Sequence, residues 1–316
     1  MQKKKGVIYQ SISGFYYVWS ENQSFATKPK GLFRHTNEKP LVGDEVVIEV
    51  DEQDSQSESR LIEILPRENE LVRPSISNVD YSMIVTSLVE PDFSYNLLDY
   101  FLVSIESNHI EPIILLSKYD LLVEALGQEA ADRKVEEIKR VYAPAGYTVV
   151  TLNNNESDID KIKQLIDTGL YVIMGQSGVG KSTLLNLLLP EANIETGIIS
   201  EALNRGKHTT REVTLYPFND GFLADTPGFS AIDFPDIEKA DLRFYFPEFA
   251  RAGESCKFRS CLHLNEPGCN VKSEVEAGDI AQSRYNNYEQ IMERIEQRKP
   301  VYKKKDRKST RLNSSH

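Results

Sequence analysis

The chain has 316 residues, 40% hydrophobic and 27% charged, which fits a folded protein of two or three domains and excludes collagen-like, fibrous and wholly disordered chains. No apolar run approaches the roughly 18 residues of a membrane span. The basic start MQKKKGVIYQSISG lacks the apolar core of a secretory signal, and three cysteines are too few for a disulfide scaffold, so a cytoplasmic protein with no membrane partner is expected. The net charge of −11 divides into −3 over residues 1–70, −13 over residues 71–249 and +5 over residues 250–316, so an RNA surface can sit at either end of an acidic centre.

Residues 1–68 read as all-β. Val7–Tyr9, Phe15–Trp19, Ser24–Thr27, Glu45–Val50 and Arg60–Leu65 are short runs rich in β-branched and aromatic residues, punctuated by Gly14, Gly31 and Gly43. Five such strands predict a small closed barrel of the OB type. Lys28, Lys30, Arg34 and Lys39 lie among Phe25, Phe33 and His35, a mixture of cations and stacking rings suited to single-stranded RNA. An ordinary solvated strand face has the same composition.

Residues 69–235 alternate strand and helix. Strands are predicted at Asp80–Ser87, Pro112–Ser117, Thr148–Leu152, Leu170–Met174 and Phe222–Ala224, and helices at Leu97–Glu106 and Gln128–Ala143. This alternation predicts a mostly parallel, doubly wound sheet. Residues 236–305 hold a cysteine-containing loop and a helix predicted over Glu274–Arg298, with Tyr288, Ile291 and Ile295 on one face. Residues 306–316, DRKSTRLNSSH, have the sequence of a common sequencing-adapter read-through, and the native chain is expected to diverge near Lys305.

Three constellations carry chemistry. The first is GQSGVGKS, Gly175, Gln176, Ser177, Gly178, Val179, Gly180, Lys181 and Ser182, which follows a predicted strand and opens the apolar helix STLLNLLL with Thr183 in its first turn. Glycines let backbone N–H groups approach phosphates, and the helix N-terminus favours an anion. In such a loop Lys181 reaches the β- and γ-phosphates and Ser182 coordinates Mg²⁺. DTPG follows the strand at Phe222–Ala224: Asp225 is placed to support Mg²⁺ and Gly228 to contact the γ-phosphate. Between the two lies RGKHTTREVTLY, read as a mobile switch loop in which Thr209 or Thr210 completes the Mg²⁺ shell.

The second is SKYD, Ser117, Lys118, Tyr119 and Asp120, at the end of PIILL. It matches the N-K-x-D guanine signature except for Ser117. In that signature the lysine stem covers the base and the aspartate accepts from the two ring-edge N–H groups that adenine lacks. A shorter Ser117 hydroxyl is expected to weaken guanine binding. The strand Thr148–Leu152 points to Thr151 through Asn153 as a second base-binding element. SKYD precedes the phosphate loop by about 55 residues, whereas in ordinary GTPases it follows, so the order is that of a circular permutation.

The third is CKFRSCLHLNEPGC, which gathers Cys256, Cys261, His263 and Cys269 with spacing C-x4-C-x-H-x5-C. Three thiolates and an imidazole closed in one loop suit tetrahedral structural zinc. Lys257, Arg259, Lys272 and Arg284 are read as candidate phosphate contacts.

Together the barrel, NELVRP (Asn69–Pro74), the permuted SKYD, GQSGVGKS, GKHTT, DTPGF and the cysteine cluster resemble the RsgA family of bacterial small-subunit-dependent GTPases, from the barrel to about Arg298. The resemblance implies an all-β OB barrel (1–68), an α/β circularly permuted P-loop GTPase domain (69–235) and a small α-rich zinc subdomain (236–305). It further implies a monomeric, late maturation factor that binds the small ribosomal subunit and its rRNA in the GTP state. The subunit would stimulate hydrolysis of GTP to GDP, and hydrolysis would release the factor. Phe229 stands where many GTPases place a water-orienting glutamine, so intrinsic turnover should be slow. His208 of GKHTT is the candidate to orient or deprotonate the attacking water, and it matches the family's implicated histidine. Two rivals are a permuted GTPase of the large subunit and a nucleotide-gated RNA scaffold that needs no hydrolysis.

Overall fold

A computed structural model describes residues 2–30, 39–50, 59–153, 155–166, 168–190, 213–225 and 234–298. The first five strands are β1 (Gln2–Ile12), β2 (Phe15–Ser20), β3 (Gln23–Pro29), β4 (Glu45–Val50) and β5 (Ser59–Ile64). They pair in the order β1-β2-β3-β5-β4, and β4 returns to β1, so the sheet closes on itself. Strand periodicity sorts the side chains. Tyr16, Val18 and Ser20 of β2 are buried inside, while Phe15, Tyr17 and Trp19 lie half-buried on the outer face. The barrel is fastened to the chain that follows by the buried Asp44 carboxylate. It accepts from Arg67 Nε and Nη2 (2.7 and 2.8 Å), Ser77 Oγ (2.6 Å) and the Leu41 N–H (2.7 Å).

After the two-residue strands β6 (Glu70–Leu71) and β7 (Ile76–Ser77), the nucleotide-type sheet is built from β8 (Tyr81–Ser87), α1 (Tyr95–Glu106), β9 (Glu111–Ser117), α2 (Tyr119–Leu126), α3 (Gln128–Tyr142), β10 (Thr148–Thr151), α4 (Ser157–Leu165), β11 (Leu170–Met174), α5 (Lys181–Leu188), β12 (Thr214–Phe218) and β13 (Gly221–Asp225). Its order is β10-β9-β8-β11-β13-β12, parallel except for the antiparallel β12. Both faces are apolar, as a sheet covered by helices on two sides requires. Ile84, Ile114 and Met174 pack with Leu98, Phe101 and Leu102 of α1 and Val135 and Ile138 of α3. Met83, Val85, Leu115 and Ile173 pack with Ile162 of α4 and Leu184 and Leu188 of α5. The strand order reverses between β8 and β11, and in open α/β sheets ligands bind at the carboxyl ends of the strands beside such a reversal. Like the two-residue β6 and β7, β12 was not predicted from the sequence; it begins inside the segment read as switch loop. It pairs with β13 through the turn at Asn219–Asp220 and with β1 at Gln10↔Thr214, joining sheet to barrel.

The C-terminal part holds α6 (Pro247–Gly253), α7 (Asn270–Ala277) and α8 (Gln282–Glu296) around Phe246, Phe249, Val271, Tyr288 and Ile291. The single helix predicted over Glu274–Arg298 is two helices. Gly278 adopts φ 85° and ends α7, a conformation that glycine reaches without a Cβ clash. Arg284 also departs from expectation. It is not a phosphate contact: it is 1% exposed and bonds to Asp99 Oδ1 of α1 (2.6 Å) and to Glu248 of α6 (2.6 and 3.1 Å). Tyr142 Oη and Asn287 Nδ2 complete Asp99 at 2.9 and 2.6 Å. This buried network pins the C-terminal part to the sheet's helices. Among the described residues no helix is long and apolar enough to cross a membrane.

Candidate nucleotide site and metal centre

The glycine-rich loop leaves β11 at Gly175 and enters α5 at Lys181, beside the strand-order reversal. Gly175 has φ +142°, and a Cβ there would lie 2.1 Å from the Val85 carbonyl oxygen, so only glycine fits. Gly180 caps α5 in the left-handed region at φ 100°. The loop curls over Lys181, whose Nζ donates to the Gly175 and Gln176 carbonyls at 2.7 and 2.8 Å. Burial pushes this ammonium down to about 8. Gln176, Ser177 and Gly178 are exposed, Val179 is buried, and Ser182 and Thr183 stand in the first turn of α5. Asp225 ends β13, whose Ala224 is in register with Val172 of β11, so its carboxylate lies at the same edge of the sheet, raised by burial.

β9 delivers Ser117 to that edge. Ser117 is fully buried and its hydroxyl donates to the Val179 carbonyl inside the glycine-rich loop at 2.6 Å, with the Thr86 carbonyl at 3.3 Å. The hydroxyl is therefore committed to the loop, and its shortness relative to asparagine bears on loop bracing before base contact. Lys118 takes a left-handed conformation (φ 59°) and its Nζ donates to the Glu90 carbonyl. The Tyr119 hydroxyl is engaged by Asp132 and Gln128 of α3. Asp120 is exposed in the first turn of α2. The Tyr119 N–H donates to the Leu152 carbonyl at 3.1 Å, which brings the Thr151–Asn153 segment against the SKYD segment. Sequence reasoning missed the Ser117–Val179 link; its one signal was a small hydroxyl residue ending an apolar strand. His208, Thr209, Thr210, Gly228 and Phe229 lie outside the described residues.

In the C-terminal part the donor atoms of Cys256, Cys261, His263 and Cys269 all lie within 4.8 Å of one another. His263 Nδ1 faces the Cys269 and Cys256 sulfurs at 3.5 and 3.7 Å. Tetrahedral zinc with its usual bond lengths separates sulfur from nitrogen by about 3.6 Å, so the donors fit one such ion. His263 is held at φ 61°, and burial, then the Arg243 charge, push its imidazole down to about 4, which keeps it neutral as a ligand must be. The Asn270 N–H at the start of α7 donates to Cys256 Sγ at 3.2 Å. These residues could hold one metal ion.

On the barrel, Phe25 packs against the core and Arg34, Phe33 and His35 lie outside the described residues. Lys28 Nζ sits 4.6 Å from the Phe15 ring centroid, and Lys30 pairs with Glu49 at 3.6 Å. An outer ring cluster instead comprises Tyr9, Tyr17 and Trp19, with centroids 6.2 and 6.3 Å from Tyr9. Its sequence signal was the period-two aromatics of FYYVWS.

A glycine-rich loop at a strand-order reversal, with the base-type segment on an earlier strand, defines a circularly permuted P-loop GTPase. The RsgA GTPase family profile matches residues 64–235, the RsgA N-terminal domain profile residues 5–56, and a profile described as 50S ribosome-binding GTPase residues 170–301. A protein of Enterococcus faecalis called small ribosomal subunit biogenesis GTPase RsgA is 51% identical over 95% of this chain and 98% of its own length. One of the same name from Bacillus cereus is 48% identical over 94% of this chain and 99% of its own. Among solved structures, YloQ, described as a circularly permuted GTPase, superposes with TM-score 0.80 at 38% identity, covering 95% of this chain and 98% of that one. YjeQ from Thermotoga maritima gives TM-score 0.79 at 32% identity, covering 94% and 100%. The chain belongs to the RsgA GTPase family, and it is a GTP hydrolase.

Proposed function

We propose that this GTPase acts in biogenesis of the small ribosomal subunit, binding the subunit and its rRNA in the GTP state and leaving after the subunit has stimulated hydrolysis. The observation that carries this reading is near-full-length identity of about half to proteins named for small-subunit biogenesis. The profile described as 50S ribosome-binding GTPase keeps a large-subunit role as the second reading. The protein would work in the cytoplasm as a monomer, organised as barrel (1–68), GTPase domain (69–235) and metal subdomain (236–305).

In the mechanism we infer, the glycine-rich loop from Gly175 to Ser182, with Thr183 and Gly228, binds the phosphates through backbone N–H groups, and Lys181 shifts from loop carbonyls to phosphate oxygens. Asp120 reads guanine and Lys118 covers it. Ser117 fixes the phosphate loop relative to this base segment, and Tyr119 anchors the segment to α3. Ser182, Asp225 and Thr209 or Thr210 would hold Mg²⁺, which supplies charge neutralisation for the triphosphate. His208 positions the water, since Phe229 has no polar group to do so. Cys256, Cys261 and Cys269, in a core cluster separate from that of the glycine-rich loop, would with His263 hold a zinc ion, which would supply a structural cross-link of their loop. The test is GTP turnover of the zinc-loaded protein alone, with purified small subunits and with large subunits, using ATP as control. Stimulation by small subunits and GTP alone supports the reading; stimulation by large subunits, or turnover indifferent to both, rejects it.

A further inference from the structure

The chain leaves β8 as LVEPDFS, residues 88–94, and enters α1 at Tyr95, so this loop stands at the same edge of the sheet as the nucleotide-site segments. Both of its ends are fixed. Ser87 is in register with Ser117, and the Leu88 N–H donates to the Ser117 carbonyl at 3.1 Å, which carries the β8–β9 ladder one step past the strand. Ser94 caps α1, its hydroxyl accepting from the Leu97 N–H at 3.3 Å, and the buried Asp99–Arg284 pair holds the helix itself. Between these ends Glu90 takes φ 50°, in the left-handed region that Gly and Asn reach far more readily than glutamate. Glu90 is exposed, and what its conformation sets is the direction of its carbonyl, which accepts from Lys118 Nζ. Lys118 is itself left-handed at φ 59°. Two residues in unfavourable backbone conformations are thus joined by one hydrogen bond, and such strain persists only where the surroundings hold it. Pro91 fills the other side of the loop, with Cδ 3.9 Å from where a Cβ on Gly178 would lie, so the loop is seated between SKYD and the glycine-rich loop.

We propose that Glu90 is a positioning residue for the guanine site: its carbonyl holds the Lys118 ammonium, so that the lysine stem is ordered where the base is to lie before the nucleotide arrives. The proposal deepens, and rests on, the reading that Lys118 covers guanine. A lysine side chain loses more rotamer freedom on being ordered than most others. Ordering it beforehand removes that cost from binding, a difference of about two- to tenfold in affinity for one such side chain. A main-chain carbonyl in a loop fixed at both ends suits the task, because it cannot swing away as a carboxylate on its own flexible stem would. Since the contact is made by backbone, the residue at position 90 acts through its φ alone. Asparagine keeps the left-handed conformation, whereas a β-branched residue is a steric outlier there and turns the carbonyl away.

The test uses the full chain, with GTP, GDP and inorganic tripolyphosphate as probes in competition with a fluorescent nucleotide. Glu90→Val should weaken GTP and GDP alike, by about two- to tenfold, and leave tripolyphosphate at the parent affinity. Glu90→Asn should bind all three as the parent does. In GTP turnover Glu90→Val should raise KM by the factor lost in affinity and leave kcat at the parent value, a split that a displaced phosphate loop would not give. A double-mutant cycle isolates the link: Glu90→Val combined with Lys118→Ala should bind GTP no more weakly than Lys118→Ala alone. Lys118→Met keeps the stem, removes the ammonium and leaves Glu90 unaltered, so it tests the link even if Glu90→Val fails to fold; it should lose the same two- to tenfold. Parent affinity for GTP in Glu90→Val or Lys118→Met, an equal loss in Glu90→Asn, additive losses in the cycle, or a matching loss of tripolyphosphate each overturn the role of Glu90 and leave the guanine reading in place. Parent affinity for GTP in Lys118→Ala takes the lysine away from the base and overturns both.

Discussion

Arg284→Met should be among the most destabilising single substitutions in the C-terminal part. The guanidinium is the cation between Asp99 and Glu248, whose side chains are 0% and 3% exposed, and it makes three charge-assisted hydrogen bonds to them. Methionine matches the aliphatic stem, so the loss is electrostatic. Breaking a buried ion pair by removing one partner costs about 3–5 kcal/mol. A second route gives a similar figure. Burial already raises the Asp99 carboxyl, and Arg284 is the largest influence opposing that rise. Without Arg284 the folded chain relieves the buried charge by protonating Asp99, and holding that proton at pH 7 against an ordinary aspartate value costs about 4 kcal/mol. The folded variant then carries a proton that the unfolded chain releases. Its stability should therefore rise as pH falls from 7 towards 5, by up to about 1.4 kcal/mol per pH unit relative to the parent. Urea unfolding followed by circular dichroism at several pH values measures this. Arg133→Ala is the control: its partner Glu129 is on the surface, and the loss should stay below about 0.5 kcal/mol. Replacing the whole set, the two donors to Asp99 included (Arg284→Met, Asp99→Leu, Glu248→Met, Tyr142→Phe, Asn287→Leu), should recover much of the stability, since apolar residues of similar volume tolerate burial and no buried donor is left unpaired. A loss under about 1 kcal/mol for Arg284→Met, or one independent of pH, refutes the account.

Four further outcomes follow from the nucleotide site and the metal centre. Ser117→Ala leaves the Val179 carbonyl without its buried donor, a loss of about 1–2 kcal/mol, so GTP and inorganic tripolyphosphate should weaken by the same factor in competition with a fluorescent nucleotide; a loss confined to GTP would make Ser117 a base reader instead. Lys181, pushed down to about 8, should be fully charged beside bound phosphates, so nucleotide binding above pH 8 takes up a proton and affinity falls as pH rises through 8. Calorimetry in two buffers of different ionisation enthalpy reads that uptake, and none at pH 8.5 would sink the idea. By the same shift the folded nucleotide-free chain holds fewer protons than the unfolded one between about 8 and 10.5, so its stability should increase with pH across that window. Cys261→Ser should abolish uptake of one equivalent of added zinc and the helical signal of α6–α8 while GTP affinity holds, because the glycine-rich loop is built on a separate core; uptake of a full equivalent by the variant would contradict the ligand set.

How much was legible follows from where the information lies along the chain. GQSGVGKS and CKFRSCLHLNEPGC are contiguous, so their glycine and ligand chemistry could be read before any fold was known. The parallel strands were visible because a sheet covered on both faces writes uninterrupted apolar runs such as PIILL and LYVIM into the sequence. β12 was not, because its residues TLYPF include a proline and alternate in burial beside the polar segment read as a switch. The helix predicted across Glu274–Arg298 failed at Gly278, where periodicity continues through a residue whose φ of 85° ends the helix.

The sequence by itself determined the order of the SKYD and glycine-rich segments, hence the permutation, because order is read directly along the chain, and it picked out the Cys3His cluster, because those four residues lie within fourteen positions. Tertiary structure alone decided what the polar side chains do. Ser117 meets a carbonyl 62 positions away, Arg284 meets Asp99 across 185, and β1 joins a strand some two hundred residues later at Gln10↔Thr214. A residue's type fixes its charge and its donors, but not whether water or a buried partner receives them. That depends on long-range packing, which is why a cation read as a phosphate contact closes a buried network while Phe244 and Phe258 stand in solvent.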